Sequence, residues 1–200
     1  MSDFVAKHRI WISRLLGAGL FAVLLLNQSA NAGTLLEPLL FALGLVLVGA
    51  GVGGRLWCAL YISGNKNRSL VTVGPYSMTR NPLYFFSFLG FVGIGFTTKT
   101  FAIPALAAAM FALIYPGVIA NEEKVLTKSF GAVFTDYCAQ VPRFFPRIAL
   151  FQEPATYSVD PRRFREAIVD VLWFIWFVGL VVFLEALRTQ GYVKPLLHLH

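Results

Sequence analysis

The chain has 200 residues, of which 57% are hydrophobic and 14% charged, with a mean hydropathy of +0.67 and a formal net charge of +7. This balance excludes an ordinary soluble domain and describes one integral membrane domain, 1–200. It also argues against nucleic-acid binding, because no basic helix or aromatic platform stands clear of the apolar runs; the anionic bilayer surface is the simpler partner for the excess Lys and Arg.

Lys7, His8, Arg9 and Arg14 precede or overlap an apolar helix from about Trp11 to Leu26 and predict a cytoplasmic N-terminus. No cleavable leader is expected, because that run lacks a small-residue cleavage site and is followed by further spans. Asn27 to Thr34 is a polar loop on the far side. Leu35 to Tyr61 is a second span, whose Gly49 and Gly53, four apart, are expected to form a bare packing face. Arg55, near its cytoplasmic end, is expected to snorkel to the headgroups. Cys58 and Cys138 are too few and too differently placed for a disulfide framework and read as free thiols.

The polar stretch Arg68 to Tyr84, RSLVTVGPYSMTRNPLY, interrupts the apolar pattern and looks like a site. Gly74-Pro75 and Asn81-Pro82 mark turns. Asn81 is biased away from helical geometry by the following proline, while Pro82 suits a first helical turn. The stretch is therefore expected to be non-helical and held at a helix mouth, with unpaired backbone N–H groups facing outward.

Leu83 to Thr97 and Phe101 to Ile119 are separated only by Thr98, Lys99 and Thr100, which predicts an antiparallel hairpin. Its first arm is short for a full crossing, and Pro104 and Pro116 are expected to bend the second. The hairpin returns Asn121, Glu122 and Glu123 to the face that carries the polar stretch. Glu123 is expected to be solvated or paired with Arg80.

From Glu122 to Arg165 the chain holds seven Lys or Arg residues and reads as a cytoplasmic cap. Within it Val125, Leu126, Phe130, Phe134 and Tyr137 follow helical spacing, interrupted by Gly131. VPRFFPR at 141–147 is expected along the membrane interface, with Phe144 and Phe145 as anchors. A last helix is expected over about 168–187, with Trp173, Phe174, Trp176 and Phe177 facing lipid or packing. The fold class is thus all-α: a multi-pass membrane helical bundle of about five membrane helices, including the short hairpin, under a cytoplasmic cap.

Four pieces, in order, resemble the isoprenylcysteine carboxyl methyltransferase and phospholipid methyltransferase superfamily of membrane enzymes. They are LVTVGPY at 70–76, RNPLY at 80–84, EEKVL at 122–126 with FGAVFTDY at 130–137, and VPRFFPR at 141–147, with the hairpin between the second and third. The resemblance covers residues 56–147. It implies that S-adenosylmethionine binds in a cytoplasm-facing pocket and that an apolar, lipid-like or prenylated acceptor approaches from the membrane. Carried over by position, the cofactor contacts are Arg68, Ser69, Leu70, Val71, Tyr76, Asn81, Pro82, Leu83, Tyr84 and Glu122. The residue chemistry agrees: Asn81, Tyr84 and Glu122 offer hydrogen bonds, and Leu70, Val71 and Leu83 an apolar wall.

No catalytic residue is assigned. Arg80 either anchors a phosphate at the interface or points at the acceptor, and His8, His198 and His200 have no role. Asn81 stands where the carboxyl methyltransferases usually carry His, and Val118 where the eukaryotic enzymes carry Arg. The final helix after Asp160 is a further departure. The acceptor therefore stays open among a prenylcysteine carboxylate, a phospholipid amine and a thiol. Two other classes remain: a membrane reductase of the sterol-reductase type using NADPH, and a non-enzymatic membrane subunit.

Overall fold

The computed structural model describes residues 33–63 and 69–192, together with the backbone of 27–29 and 197–199. The helix expected from Trp11 to Leu26, Arg68, the basic N-terminus and Lys194 lie outside the described residues. Almost everything described is helical: α1 Leu36–Ile62, α2 Pro75–Met78, α3 Pro82–Thr97, α4 Ala102–Phe130, α5 Ala132–Gln140, a 3₁₀ turn Ile148–Leu150, and α6 Pro161–Thr189. The exception is a parallel pairing of β1 Asn27–Ser29 with β2 Leu197–Leu199, in a region read as loop and tail.

Helices α1, α4 and α6 are each long and apolar enough to cross a membrane, whereas α3, with 16 residues, is shorter. The all-α, multi-pass architecture holds for the described residues.

α1 and α3 are pressed together, though not by the glycines expected. Gly49 and Gly53 face open space. Gly44 and Gly51 instead meet α3, where a Cβ on Gly51 would lie 2.7 Å from the Gly90 Cα and one on Gly44 2.7 Å from the Thr97 nitrogen. Gly93 answers from α3, 2.7 Å from the Val48 nitrogen by the same measure. Spacing cannot identify the contact face when a helix carries five glycines, because the partner's position selects which of them it meets. Above this seam Val48, Ile94 and Phe174 form a small core joining α1, α3 and α6.

The hairpin of α3 and α4 forms as expected, closed by Thr98 to Phe101. Pro104 sits in the first turn of α4 against Gly95, and the helix runs on through Pro116. At the closed end Lys99 adopts φ +62°, uncommon for a residue with a side chain, and its ammonium binds Glu37 of α1 at 2.7 Å and Glu185 of α6. One cation thus ties three elements together. Burial works against that charge, but the hydrogen bonds from Glu185 and Glu37 outweigh it and hold the ammonium above the ordinary lysine range.

α6 extends beyond the predicted span because Asp160 caps it, its carboxylate accepting from the N–H groups of Arg162 and Arg163 at 2.9 and 3.3 Å. Phe174 turns inward, whereas Trp173 and Trp176 face outward. Cys58 is buried and Cys138 half-buried, and both are free thiols.

Candidate functional site

The polar stretch lies at the open end of the hairpin, opposite Lys99. The stretch is non-helical as expected, with a turn at Gly74, except for one short helical turn that follows it. Gly74 has φ +61° and lies against Tyr61, whose ring would be 2.4 Å from any Cβ placed there. Pro75 then begins one helical turn, α2, because its ring fixes φ near the helical value and Ser77 Oγ donates back to the Gly74 carbonyl at 2.7 Å.

Asn81 has φ −126° and ψ +53°, outside the helix as its proline requires. Its carbonyl takes the N–H groups of both Tyr84 and Phe85 at 3.1 Å. Since Pro82 has no N–H, this leaves the mouth of α3 with little of the outward-facing donor set expected.

A strap from the VPRFFPR segment holds the stretch in shape. The Arg80 N–H donates to the Pro142 carbonyl at 2.9 Å, Thr79 Oγ1 to the Phe144 carbonyl at 3.0 Å, and the Arg147 N–H to the Met78 carbonyl at 2.9 Å. Further along, the Gly74 N–H donates to the Gln152 carbonyl at 2.7 Å and the Gln152 N–H to Ser77 Oγ at 2.9 Å. Phe145 is 73% exposed, but Phe144 is not an interface anchor: it packs inward against Phe85, Phe88 and Phe111. A proline-bounded basic segment reads as interfacial in sequence; here its backbone pairs with a second irregular segment, so one of its two aromatic rings is drawn into the bundle.

The hairpin returns Glu122 and Glu123 as expected, and their surroundings differ. Glu122 Oε2 accepts from the Tyr84 hydroxyl at 2.7 Å. Glu123 receives Arg143 Nε at 3.0 Å, Arg80 Nη1 at 3.6 Å and Asn81 Nδ2 at 3.4 Å. Asn81 Nδ2 also donates to the Arg143 carbonyl at 2.9 Å, so its amide nitrogen serves the strap. Glu123 is therefore the knot between hairpin and strap, a role the pairing with Arg80 only partly anticipated.

These elements border an open cleft. Its wall includes Ser69, Leu70, Val71, Tyr76, Asn81, Pro82, Leu83, Tyr84 and Glu122, so every position assigned from the sequence is brought together except Arg68, which lies outside the described residues. Arg80 also lines it. Sequence reasoning missed Ile62, Leu126, Phe130 and Tyr137 on the same wall. For the last three the signal was present, since the apolar spacing over 125–137 already placed them on one helical face beside Glu122.

Burial fixes the protonation of two phenols here. Tyr76 is buried, and loss of hydration holds its pKa well above the usual tyrosine range. Burial likewise raises that of Tyr137, whose hydroxyl donates to the Tyr76 carbonyl at 2.6 Å. Both remain neutral donors at physiological pH. The cleft thus combines a carboxylate with its hydroxyl partner, neutral phenols and an apolar wall of Leu70, Val71 and Leu83. That set can hold a molecule that is polar at one end and reactive at an apolar one.

A second basic residue departs from expectation. Arg55 does not reach for the headgroups: its guanidinium turns inward to Ser87 Oγ and lies 5.6 Å from the centre of the Phe174 ring. The close α1 and α3 seam puts a hydroxyl within its reach, which is a better partner than distant solvent.

The chain is 42% identical over 186 residues to the cobalt-zinc-cadmium resistance protein CzcN of Cupriavidus metallidurans, covering 93% of this chain and 84% of that one. It is 38% identical over 194 residues to the nickel-cobalt-cadmium resistance protein NccN of Alcaligenes xylosoxydans xylosoxydans, covering 97% and 89%. Both names describe resistance to metal ions and state no reaction. No solved structure matches. The family model described as phospholipid methyltransferase matches residues 34–133, from the start of α1 through Glu122 and into α5, and the chain therefore belongs to the phospholipid methyltransferase family.

Proposed function

We propose that the chain is an integral membrane methyltransferase that moves a methyl group from S-adenosylmethionine, held in the cleft, to a lipid-like acceptor, with the cleft facing the cytoplasm. The observation that carries this reading is the convergence on one cleft of Ser69 to Val71, Tyr76, Asn81 to Tyr84 and Glu122, from three separate parts of a chain of this family. The cofactor supplies an activated methyl on a sulfonium; the acceptor's lone pair forms the new bond to carbon as the carbon–sulfur bond breaks and its electron pair stays on sulfur.

The residues present suit such a guest. Glu122, oriented by the Tyr84 hydroxyl, offers a carboxylate to an amine or a ribose hydroxyl. Leu70, Val71 and Leu83 keep water from the reacting end. No side chain needs to become covalently bonded, so the enzyme's contribution is position, alignment and dehydration.

Incubating the purified chain with membrane lipids and methyl-labelled S-adenosylmethionine tests the proposal. Label should appear in an organic-extractable product, and S-adenosylmethionine, but not NADPH, should raise the melting temperature. Stabilisation by NADPH alone, or by neither, would overturn it.

A further inference from the structure

The strap that braces the cleft has an outer side that the site does not use. Ile148 is 79% exposed, and Phe145 and Phe151 are exposed on either side of it. Arg147 is exposed among them, and its guanidinium enters no hydrogen bond or ion pair among the described residues. None of these four residues lines the cleft. From Val141 to Gln152 the chain carries two arginines and no carboxylate. Three large apolar side chains within seven residues, beside an uncompensated charge, are costly to leave in water and mark a surface that meets something else.

Ring contacts fix the height of this segment along the bundle. The Phe144 ring lies 5.9 Å from that of Phe111 in α4 and 6.1 Å from that of Phe88 in α3, centre to centre. Phe111 is about 16 Å along α4 from Glu122, well inside the apolar length of that helix. At the other end, the Phe151 ring lies 5.8 Å from Trp57, little more than a turn inside the end of α1. Both ends of the strap therefore rest on rings of helices that are apolar enough to cross a membrane. The segment between them is held where the apolar length of the bundle ends, and does not stand off in water. Apolar side chains with an arginine beside them, at that level, have the make-up of a chain that lies in the headgroup region.

We propose that the outer side of the strap docks on an anionic bilayer surface, with Phe145 and Ile148 at the acyl boundary and Arg147 on phosphate headgroups, and that this docking tightens the cleft. The coupling runs through the backbone. Arg147 donates its own N–H to the Met78 carbonyl at 2.9 Å, and Phe144, next to Phe145, accepts from Thr79 Oγ1 at 3.0 Å. Fixing Arg147 and Phe145 on the membrane therefore fixes 78–80, which lead directly into Asn81 to Tyr84 on the cleft wall. An acidic peptide would satisfy Arg147 equally well. The bilayer is favoured because the strap is packed against the apolar length of the bundle, where lipid is already the neighbour.

The full chain in nanodiscs of phosphatidylcholine, or of phosphatidylcholine mixed with phosphatidylglycerol, provides the test. A nitroxide on Ile148→Cys, in a Cys138→Ser background with Cys58 fully buried, reads depth. In the mixed discs its relaxation should respond to oxygen more than to a water-soluble nickel chelate; the reverse preference would overturn the docking. Hydrogen exchange of the amides of 74–80 and 147–152 reads the tightening. Phosphatidylglycerol should slow it about fivefold, the scale of one arginine at an anionic surface. Arg147→Gln, at an exposed position and with its backbone N–H intact, should abolish that difference, and Arg147→Lys should keep it. Exchange that ignores phosphatidylglycerol, or a slowing that survives Arg147→Gln, would overturn the proposal. Equal slowing by free glycerol phosphate in phosphatidylcholine discs would also overturn it, in favour of a site for a soluble anion. No S-adenosylmethionine enters these measurements, so their outcome is independent of the methyl transfer proposed above.

Discussion

Glu122 receives the Tyr84 hydroxyl and borders the cleft, whereas Glu123, next in the chain, is enclosed by Arg80, Arg143 and Asn81. Their alanine variants should therefore fail differently. Glu122→Ala should weaken S-adenosylmethionine binding about tenfold or more, the scale of one lost hydrogen bond to a charged group, with a small change in melting temperature. Glu123→Ala should leave two guanidinium groups and an amide without their common partner and destabilise the fold by ~1–3 kcal/mol. Calorimetric titration and thermal unfolding of the pair check this; equal losses of affinity would refute it. The sequence already separated the two carboxylates, Glu122 toward the cofactor and Glu123 toward Arg80, but left no sign of the tie from Glu123 to Arg143, which lies in the strap 20 residues further on.

Tyr137 gives a dependence on pH. Its pKa is raised in the fold, so the native state holds the phenolic proton more tightly than the unfolded chain does. The stabilisation is therefore complete below about pH 10, the ordinary tyrosine value, and is lost as pH rises beyond it. Melting temperature should fall above about pH 10, with Tyr76 acting in the same sense. Tyr137→Phe should be less stable at neutral pH by ~1–2 kcal/mol, since the Tyr76 carbonyl loses its donor, and should show a shallower alkaline decline. A decline as steep as wild type would exclude Tyr137 as a source.

At the scale of the elements, the glycine seam between α1 and α3 sets the bundle. Gly51→Ala puts a methyl where the Gly90 backbone stands and should destabilise the protein by ~1–3 kcal/mol, whereas Gly49→Ala, facing open space, should be neutral or slightly stabilising. Unfolding in detergent compares them, and equal effects would contradict the seam. The hairpin was legible from two apolar runs and a three-residue gap, because so short a link permits little but antiparallel packing. The strap was not legible. Its bonds run largely from backbone N–H to backbone carbonyl, groups that every residue carries and that leave no mark in the side-chain pattern.

Across the whole molecule, α6 is held at both ends: near the closed turn by Lys99 between Glu37 and Glu185, and near the cleft by packing of Val171 and Phe174. Lys99→Met should leave two neighbouring carboxylates without their cation and loosen α6. Combining it with Glu37→Gln and Glu185→Gln should recover part of the loss, giving a coupling of ~1–3 kcal/mol. Hydrogen exchange over 182–189 reads the loosening directly, and strictly additive effects would rule out the clamp. The sequence placed Lys99 only in the hairpin's short connection, since its partners lie 62 and 86 residues away.

The strap also orders events during synthesis. Every described residue of the cleft wall falls between Ile62 and Tyr137, and the strap that braces it ends where the Gln152 N–H donates to Ser77 Oγ, the Tyr61 hydroxyl to Glu153 Oε1 and the Tyr157 hydroxyl to the Tyr61 carbonyl. All of this precedes Pro161, where α6 begins. The nascent chain can thus complete this cleft while α6 is still within the ribosome, and the charged residues Arg163, Glu166 and Asp170 are added only when that last helix inserts. A stall or truncation between Tyr157 and Pro161 would release a chain with this cleft assembled and the helix that contributes Arg163, Glu166 and Asp170 missing.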